Sequence, residues 1–141
     1  MWNELLDRIA SGNPPVPQRT ETLCIPHIDG WEKGRVWSSW TIDDKMIQPH
    51  GSVFGGYLSA VADEMVGMAT MTVLDDHEIF VTSNCRIDYF RPAGSEKLRV
   101  EATVIHRGRS CVNVEAAFTN ANGKLVAKAC ATQLLRRHPE K

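Results

Sequence analysis

The stretch QPHGSVFGGYLSAVADEMVGMAT, residues 48–70, decides the fold. From Val53 to Leu74 the chain is almost continuously apolar and rich in Ala, Met and Leu. Such a run is too long for a strand, so it predicts a helix of about 20 residues, roughly 30 Å in length. Because apolar residues lie on nearly every side of this helix, we expect the rest of the protein to bury nearly every side.

Two adjacent carboxylates in the middle of the run, Asp63 and Glu64, argue against a membrane span. They would lie near the bilayer centre, at a cost of about 2.5 to 3.5 kcal/mol for the aspartate alone. No second apolar segment in the sequence could shelter them. The segment MWNELLDRIASG, residues 1–12, contains acidic residues and no long apolar core. It does not resemble a secretory signal, so we expect a cytoplasmic location.

Length and composition limit the classes of protein to which this chain can belong. Its 141 residues suffice for one domain with a proper core, so we expect a single domain over residues 1–141. The 16 Lys and Arg residues nearly balance the 17 Asp and Glu residues, which leaves no broad electrostatic footprint for nucleic acid or an anionic membrane. The four cysteines are scattered without a CxxC pair, so we expect no metal or disulfide role for them.

Segments of strand character precede and follow the long helix. Residues 34–42, GRVWSSWTI, are aromatic and β-branched and predict one strand. Four more runs follow the helix at residues 79–90, 97–107, 110–120 and 125–137, and the links between them contain the Gly, Pro and Asn typical of tight turns. Links this short require antiparallel neighbours. The sequence therefore predicts an α+β fold in which a curved antiparallel sheet wraps around one long central helix.

The first 19 residues are expected to form an appendage to this core. Trp2, Leu5, Leu6 and Ile9 recur at helical spacing, which indicates a short amphipathic helix over residues 1–11. The prolines of GNPPVPQ, residues 12–18, lack amide donors, so this segment predicts an extended linker.

A family resemblance is carried by the glycines before the helix, the acid inside it and the later segment VTSNCRIDYFRPAGSEKLRVEATVIHRGRS, residues 81–110. With these features, residues 34–135 resemble the hotdog-fold thioesterases of the phenylacetate-degradation and 4-hydroxybenzoyl-CoA type. The resemblance implies a hotdog fold and hydrolysis of an acyl-CoA thioester to a free acid and coenzyme A. It implies no metal or redox cofactor, since coenzyme A enters as part of the substrate.

The family pattern can be placed on this sequence in two registers. The pattern has Asn or Gln, a Gly three residues later, a His-Gly-Gly triplet, and an acid nine residues after that histidine. If His50 were the histidine, Gly51 and Ser52 would follow it in place of two glycines. The ninth residue after it would be Ser59, which is not an acid. This register therefore fails at two points.

The second register starts from Phe54 and fails only at the histidine. Its remaining members are Gly55 and Gly56 directly after Phe54, Asp63 nine residues on, Gln48 six residues before and Gly51 three residues before. We prefer this register, in which Phe54 is a real departure from the family pattern and His50 is an additional loop residue.

The resemblance assigns roles to these positions. Asp63 would act as general base on water, or as nucleophile through a mixed anhydride, and Gln48 would orient the water or the substrate. Amides at a helix start lie at the positive end of the helix dipole, so the Gly55 amide could stabilise the oxyanion of the thioester carbonyl. Glu64 points about 100° away from Asp63 and is expected to pair with a basic group or with solvent.

Helix geometry separates the glycine from the acid. Gly55 and Asp63 are eight residues apart, which places their Cα atoms about 12 Å apart along the axis. If both serve one thioester, they must come from two chains whose helices meet at a dyad, which predicts a homodimer with two equivalent interface sites. The family that this sequence resembles also builds its site across a dimer interface. A tetramer formed as a dimer of dimers is common in that family.

Further residues are expected to contact the substrate. Gly67, one turn beyond Asp63, would allow close approach of the acyl chain or of the partner helix, and arginines at strand ends suit the phosphates of coenzyme A. The predicted substrate contacts are His50, Phe54, Gly56, Gly67, Arg91, Arg107, Gly108, Arg109 and Ser110. For each arginine taken singly, and for His50, a solvated surface position is the alternative interpretation.

Two other functions compete with hydrolysis. A hotdog hydratase or dehydratase carries an Asp five residues before a His, whereas here Asp44 precedes His50 by six residues and Asp43 by seven. That spacing disfavours the hydratase class. A non-catalytic hotdog module that binds acyl-CoA is favoured by Phe54 at the histidine position, because a shared fold does not establish chemistry.

Overall fold

The computed structural model describes residues 1–13 and 18–138. In those residues, two short helices and a pair of strands precede one long helix, and four strands follow it. The elements are α1 (Trp2–Ala10), α2 (Gln18–Thr22), β1 (Gly30–Glu32), β2 (Arg35–Thr41), a 3-10 turn (Asp44–Met46), α3 (Gly55–Met71), β3 (Glu78–Tyr89), β4 (Lys97–Arg107), β5 (Cys111–Thr119) and β6 (Leu125–Arg137).

The structure confirms the amino-terminal helix, the long helix and the five strands predicted from the sequence. The sequence did not predict α2 or β1. The three residues of β1 are too few to show a period, and a tight turn at Gly34, whose φ of 85° favours glycine, joins β1 to β2. Residues 14–17 of the predicted linker lie outside the described part of the chain.

The strands form one sheet in the order β1-β2-β4-β5-β6-β3, and every neighbouring pair is antiparallel. Val36, Ala102, Ala116 and Ala129 lie opposite one another in β2, β4, β5 and β6, and each is fully buried. Such a row of small residues allows a helix to approach the sheet closely. At the end of this order, β3 pairs with β6. In the described sheet, the other edge of β3 is uncovered.

Helix α3 packs on this small-residue face and contacts five of the strands, from β2 to β6. The helix has 17 residues instead of about 20, because Val53 and Phe54 are extended before it and because it ends at Met71, three residues before Leu74. The Val53 amide donates to the Ala93 carbonyl and the Phe54 amide to the Met46 carbonyl. In the described residues, no helix is both long and apolar enough to cross a membrane.

One side of α3 remains uncovered, so the expectation that nearly every side would be buried is wrong for the single chain. Gly56 and Asp63 are exposed, and Ser59, Ala60 and Gly67 are half-buried. Their spacing of three, four and seven residues places them in one stripe along the helix. Asp63 and Gly67 of this stripe line one cavity with Phe80 and Thr82 of β3, the edge strand.

Candidate active site

The start of α3 forms the first half of the candidate site. Gly55 is the first helical residue, and the amides of a first turn have no acceptor within their own helix. In the described residues, no acceptor is recorded for the Gly55 amide. A cavity of about 290 Å³ lies beside this turn and is lined by Ser52, Val53, Gly55, Leu58, Tyr89, Phe90, Arg91, Pro92 and Ala93. An unoccupied helix amide beside a cavity is suited to bind a carbonyl oxygen or an anion.

Tyr89 fixes the backbone around Gly55, and sequence reasoning did not identify it. Its hydroxyl donates to the Gly55 carbonyl at 2.9 Å and accepts from the Ser59 hydroxyl at 2.8 Å. A Cβ atom at Gly55 would lie 3.2 Å from both Cζ and the hydroxyl oxygen of Tyr89. A Cβ atom here would require the Tyr89 ring to move by a few tenths of an ångström, so Gly55 permits this close approach and leaves its amide accessible.

A tight turn over residues 48–52 leads into this half of the site. The Gln48 amide donates to the Ser52 carbonyl at 2.8 Å, and the Gly51 amide donates to the Gln48 carbonyl at 2.9 Å. Gly51 has a φ of 89°, which residues other than glycine rarely adopt. His50 is exposed, and its Nε2 lies 2.6 Å from the Ser52 hydroxyl oxygen. Gln48 is half-buried at the base of the turn, and His50 lies at its surface.

Phe54, at the position of the family histidine, is a large exposed side chain. Its ring is 54% exposed and meets the Tyr57 ring edge-on, with centroids 6.1 Å apart. A Cβ atom at Gly56 would overlap the Phe54 ring, so the glycine here gives space to the phenylalanine. An exposed ring at a helix start that also borders a stripe of small residues is suited to an interface.

The second half of the candidate site surrounds Asp63. A cavity of about 160 Å³ is lined by Asp63, Glu64, Gly67, Met68, Met71, Phe80 and Thr82. Asp63 lines this cavity together with Phe80 and Thr82 of β3, so its exposed carboxylate lies beside that strand and is accessible to water.

Four of the seven residues lining this second cavity were not identified from the sequence: Met68, Met71, Phe80 and Thr82. Phe80 and Thr82 alternate along β3 and so project toward α3, where Thr82 places a hydroxyl in the same cavity as the carboxylate. Glu64 also lines the cavity, so both adjacent acids border it. The regular alternation of β3 ends at a bulge between Thr82 and Asn84, which hides this pattern in the sequence.

The two cavities share no lining residue in the described chain. Gly55 and Asp63 are separated by eight residues of one helix, or about 12 Å. A thioester carbonyl held at one of them cannot contact the other in the same chain. The single chain therefore presents two half-sites on one uncovered side.

The predicted coenzyme A contacts do not lie together. Arg91 is exposed and lines the Gly55 cavity, and Arg109 and Ser110 are exposed in the turn between β4 and β5. Gly108 shapes that turn, where its amide donates to the Cys111 carbonyl at 2.8 Å. A Cβ atom at Gly108 would lie 3.2 Å from the same carbonyl oxygen.

Arg107 is engaged inside the protein, which argues against the phosphate contact predicted for it. Its guanidinium donates to both oxygens of the Glu78 carboxylate, at 2.6 and 2.7 Å, and to the carbonyls of Val73 and Gly108. The Glu78 side chain is 8% exposed and that of Arg107 is 29% exposed. Burial alone would raise the pKa of Glu78, but hydrogen bonds from the Asp75 amide and from Arg107 outweigh it and lower that pKa.

We expect the Glu78→Gln substitution to lower the free energy of unfolding by about 1.5 to 3 kcal/mol at pH 7, because it removes charged hydrogen bonds from a buried group. The pKa of Glu78 is lowered on folding from its ordinary value of 4.5, so its stabilisation is present above that value and is lost as the pH falls further. Urea unfolding should therefore give a difference between wild type and variant that is large at pH 7 and that decreases as the pH falls below 4.5.

The exposed pair of Arg86 and Asp88 provides the control for this measurement. Its side chains are 77% and 45% exposed, so Asp88→Asn should change the free energy of unfolding by less than about 1 kcal/mol. Equal effects of Glu78→Gln and Asp88→Asn at pH 7 would contradict a structural role for the Glu78 pair.

The four cysteines are free thiols at separate positions. In the residues that the structure describes, no group of three His, Cys, Asp or Glu side chains is placed to hold a metal ion.

Comparison with known proteins relates both half-sites to one family. The thioesterase superfamily model matches residues 50–127, more than half of the 141 residues, and this range contains every residue that lines the two cavities. The proofreading thioesterase EntH of Klebsiella pneumoniae is 25% identical over 103 residues, which cover 73% of this chain and 73% of that relative.

Solved structures agree with this match. A phenylacetic acid degradation-related protein of Ralstonia eutropha JMP134 is 32% identical, with a TM-score of 0.81 over 92% of this chain and 98% of that one. A hypothetical thioesterase of Streptococcus pneumoniae TIGR4, solved with coenzyme A, is 22% identical with a TM-score of 0.73, over 81% of this chain and 88% of that one, and supports the fold alone. The predicted hotdog fold is thus confirmed, and the chain belongs to the thioesterase superfamily, which supports thioester hydrolysis as its general chemistry.

Proposed function

We propose that this protein hydrolyses an acyl-CoA thioester to a free acid and coenzyme A, in a homodimer with two equivalent sites. The observation that carries the proposal is the separation of the half-sites, with an unoccupied helix amide at one end of the uncovered side and a carboxylate at the other. A two-fold axis between them would place the Gly55 half of one chain against the Asp63 half of its partner.

The edge strand β3 supports the homodimer. It is 12 residues long, and residues 81–86 are all exposed along an edge that carries unpaired backbone groups. Proteins normally shorten, twist or cover such an edge, because it readily pairs with another strand. Antiparallel pairing of β3 with its copy would extend the sheet across the dyad and cover this edge.

The uncovered stripe of α3 supports the same arrangement. Gly56, Ser59 and Ala60 are small, so the α3 helices of two chains could pack closely at the dyad. The half-sites would then adjoin across the axis, and each would gain a second wall from the partner. The exposed ring of Phe54 would be covered at the same interface.

In the proposed reaction, the partner subunit's Gly55 amide donates to the thioester carbonyl oxygen and stabilises the negative charge that develops on it. Asp63 accepts a proton from a water molecule as the water oxygen bonds to the carbonyl carbon. The tetrahedral intermediate then collapses with cleavage of the carbon–sulfur bond, and the thiolate takes up a proton. Thr82 borders the same cavity and is placed to hold the attacking water, while Gln48 would orient the substrate.

Two observations support coenzyme A as the carrier of the acyl group. Arg91 is exposed at the Gly55 cavity, where a guanidinium can bind a phosphate with paired hydrogen bonds. A protein of the same fold from Streptococcus pneumoniae was solved with coenzyme A. Arg109 and Ser110 remain predicted contacts farther along the nucleotide.

The test of this proposal is release of free thiol from a panel of acyl-CoAs by the purified wild-type protein. We expect turnover with at least one short or aromatic acyl-CoA. Calorimetric binding of these acyl-CoAs without release of thiol would contradict hydrolysis and would identify the non-catalytic module, which Phe54 at the histidine position favours.

A further inference from the structure

The Asp63 cavity is bounded by one aromatic side chain. Phe80 projects from β3 toward α3, where a Cβ atom at Gly67 would lie 3.5 Å from its Cζ atom. Asp63 and Met71 are eight residues apart on α3, so the cavity extends about 12 Å along the helix from the carboxylate. The Phe80 ring meets Gly67, which is one helical turn or about 6 Å from Asp63 in the direction of Met71, so Phe80 lies beyond the carboxylate on that side of the cavity.

Helix α1 holds this phenylalanine from behind. The Trp2 ring packs on the Phe80 ring with centroids 6.4 Å apart, and its Nε1 donates to the Glu78 carbonyl at 3.0 Å. Leu6 and Ile9 of α1 are buried, and α1 contacts α3. The indole therefore lies against β3 at the residue that closes the cavity.

A second anchor holds α1 independently of Phe80. The Trp31 Nε1 donates to the Asp7 carboxylate at 2.9 Å, which connects α1 to β1. Glu78, two residues before Phe80, is bound to Arg107, so the start of β3 is also fixed. Phe80 is thus the inner surface of a wall whose outer layer is Trp2.

We propose that Trp2 and Phe80 determine which acyl groups this protein accepts, by closing the remote end of the acyl cavity. This inference rests on the proposed function and adds the residues that limit the length of the acyl group. Phe80 and Gly67 line the cavity from β3 and α3, and the flexible side chains of Met68 and Met71 line it beside them.

The test is a profile of acyl length for wild type and four variants. Straight-chain acyl-CoAs of increasing length and phenylacetyl-CoA are compared by kcat/KM, and their Kd values are measured by calorimetry in the Asp63→Asn background. Phe80→Ala removes the wall, Phe80→Leu is the milder substitution should the first variant fold poorly, and Trp2→Ala removes only the backing. Gly67→Ala fits, since its Cβ would make ordinary contact with Phe80, and it narrows the cavity.

We expect Phe80→Ala and Phe80→Leu to accept longer acyl chains than wild type. The gain in kcat/KM should be about four-fold for each methylene that newly fits. Trp2→Ala should shift the limit in the same direction by less, and Gly67→Ala should shift it downward. Asp7→Ala is the control, because it removes the acceptor of the Trp31 Nε1 and so loosens α1 there, but leaves Trp2 on Phe80. The control should keep the wild-type length limit.

The two readouts separate this inference from the proposed function. Absence of thiol release with every acyl-CoA would contradict hydrolysis, while the Kd profile would still show whether the length limit follows Phe80 and Trp2. The inference would be overturned if both the kcat/KM profile and the Kd profile gave the wild-type length limit in Phe80→Ala and in Phe80→Leu. A shift of the length limit in Asp7→Ala as large as that in Trp2→Ala would also overturn the inference, because looser attachment of α1 would then explain the change.

Discussion

Replacing Asp63 with asparagine is expected to lower kcat/KM for thioester hydrolysis by about 100- to 10,000-fold, the usual contribution of a general base. The substituted side chain would keep the size and most hydrogen bonds of the aspartate but could not accept the proton of water. The exposed position of Asp63 means that folding should be unaffected. Thiol release from a substrate that wild type hydrolyses measures the loss, and the thermal unfolding midpoint checks the fold.

Glu64→Gln is the matched comparison, since both acids border the same cavity. Adjacent helical residues point about 100° apart, so only one of them can be directed at a given carbonyl. We expect Glu64→Gln to retain kcat/KM within about ten-fold of wild type. A large loss in Glu64→Gln with little loss in Asp63→Asn would show that the base is Glu64 and not Asp63.

The second large effect is expected at the helix start. Gly55→Pro removes the amide hydrogen and should lower kcat by about 100- to 1,000-fold, which is the typical cost of one oxyanion donor. Proline is well tolerated at the first position of a helix. Phe54 already has the extended backbone, with φ of −62° and ψ of 125°, that a residue before proline adopts.

Gly55→Ala separates the loss of the amide from the effect of added bulk. Both variants carry a Cβ atom, which requires the Tyr89 ring to move by a few tenths of an ångström. Gly55→Ala keeps the amide, so its kcat should remain well above that of Gly55→Pro. Equal losses in the two variants would show that the Tyr89 contact, and not the amide, matters at this position.

The central helix could be predicted from the sequence because a run of apolar residues from Val53 onward is too long for any other element. The antiparallel order also followed, since links of a few residues allow no other neighbours. The start of the helix was placed two residues early, because the extended backbone of Val53 and Phe54 depends on acceptors at Ala93 and Met46. Those acceptors come from loops that only the folded chain brings together.

Residues whose role depends on contacts between elements could not be predicted in the same way. Arg107 was expected at a phosphate, but its partner Glu78 lies 29 residues earlier in the chain and no local pattern pairs them. Tyr89 and Thr82 each line one of the two cavities because β3 runs beside the uncovered stripe of α3. Motif spacing predicted Asp63 and Gly55 as site residues, while their surroundings required the tertiary structure.

The most direct test of the account is complementation between two inactive chains. Asp63→Asn and Gly55→Pro subunits are co-expressed with different tags, and the heterodimer is purified over both tags. A site shared between chains leaves one of its two sites intact, so the heterodimer should recover about half of the wild-type kcat. Activity no higher than that of either variant alone would contradict a site built from Asp63 of one subunit and Gly55 of the other.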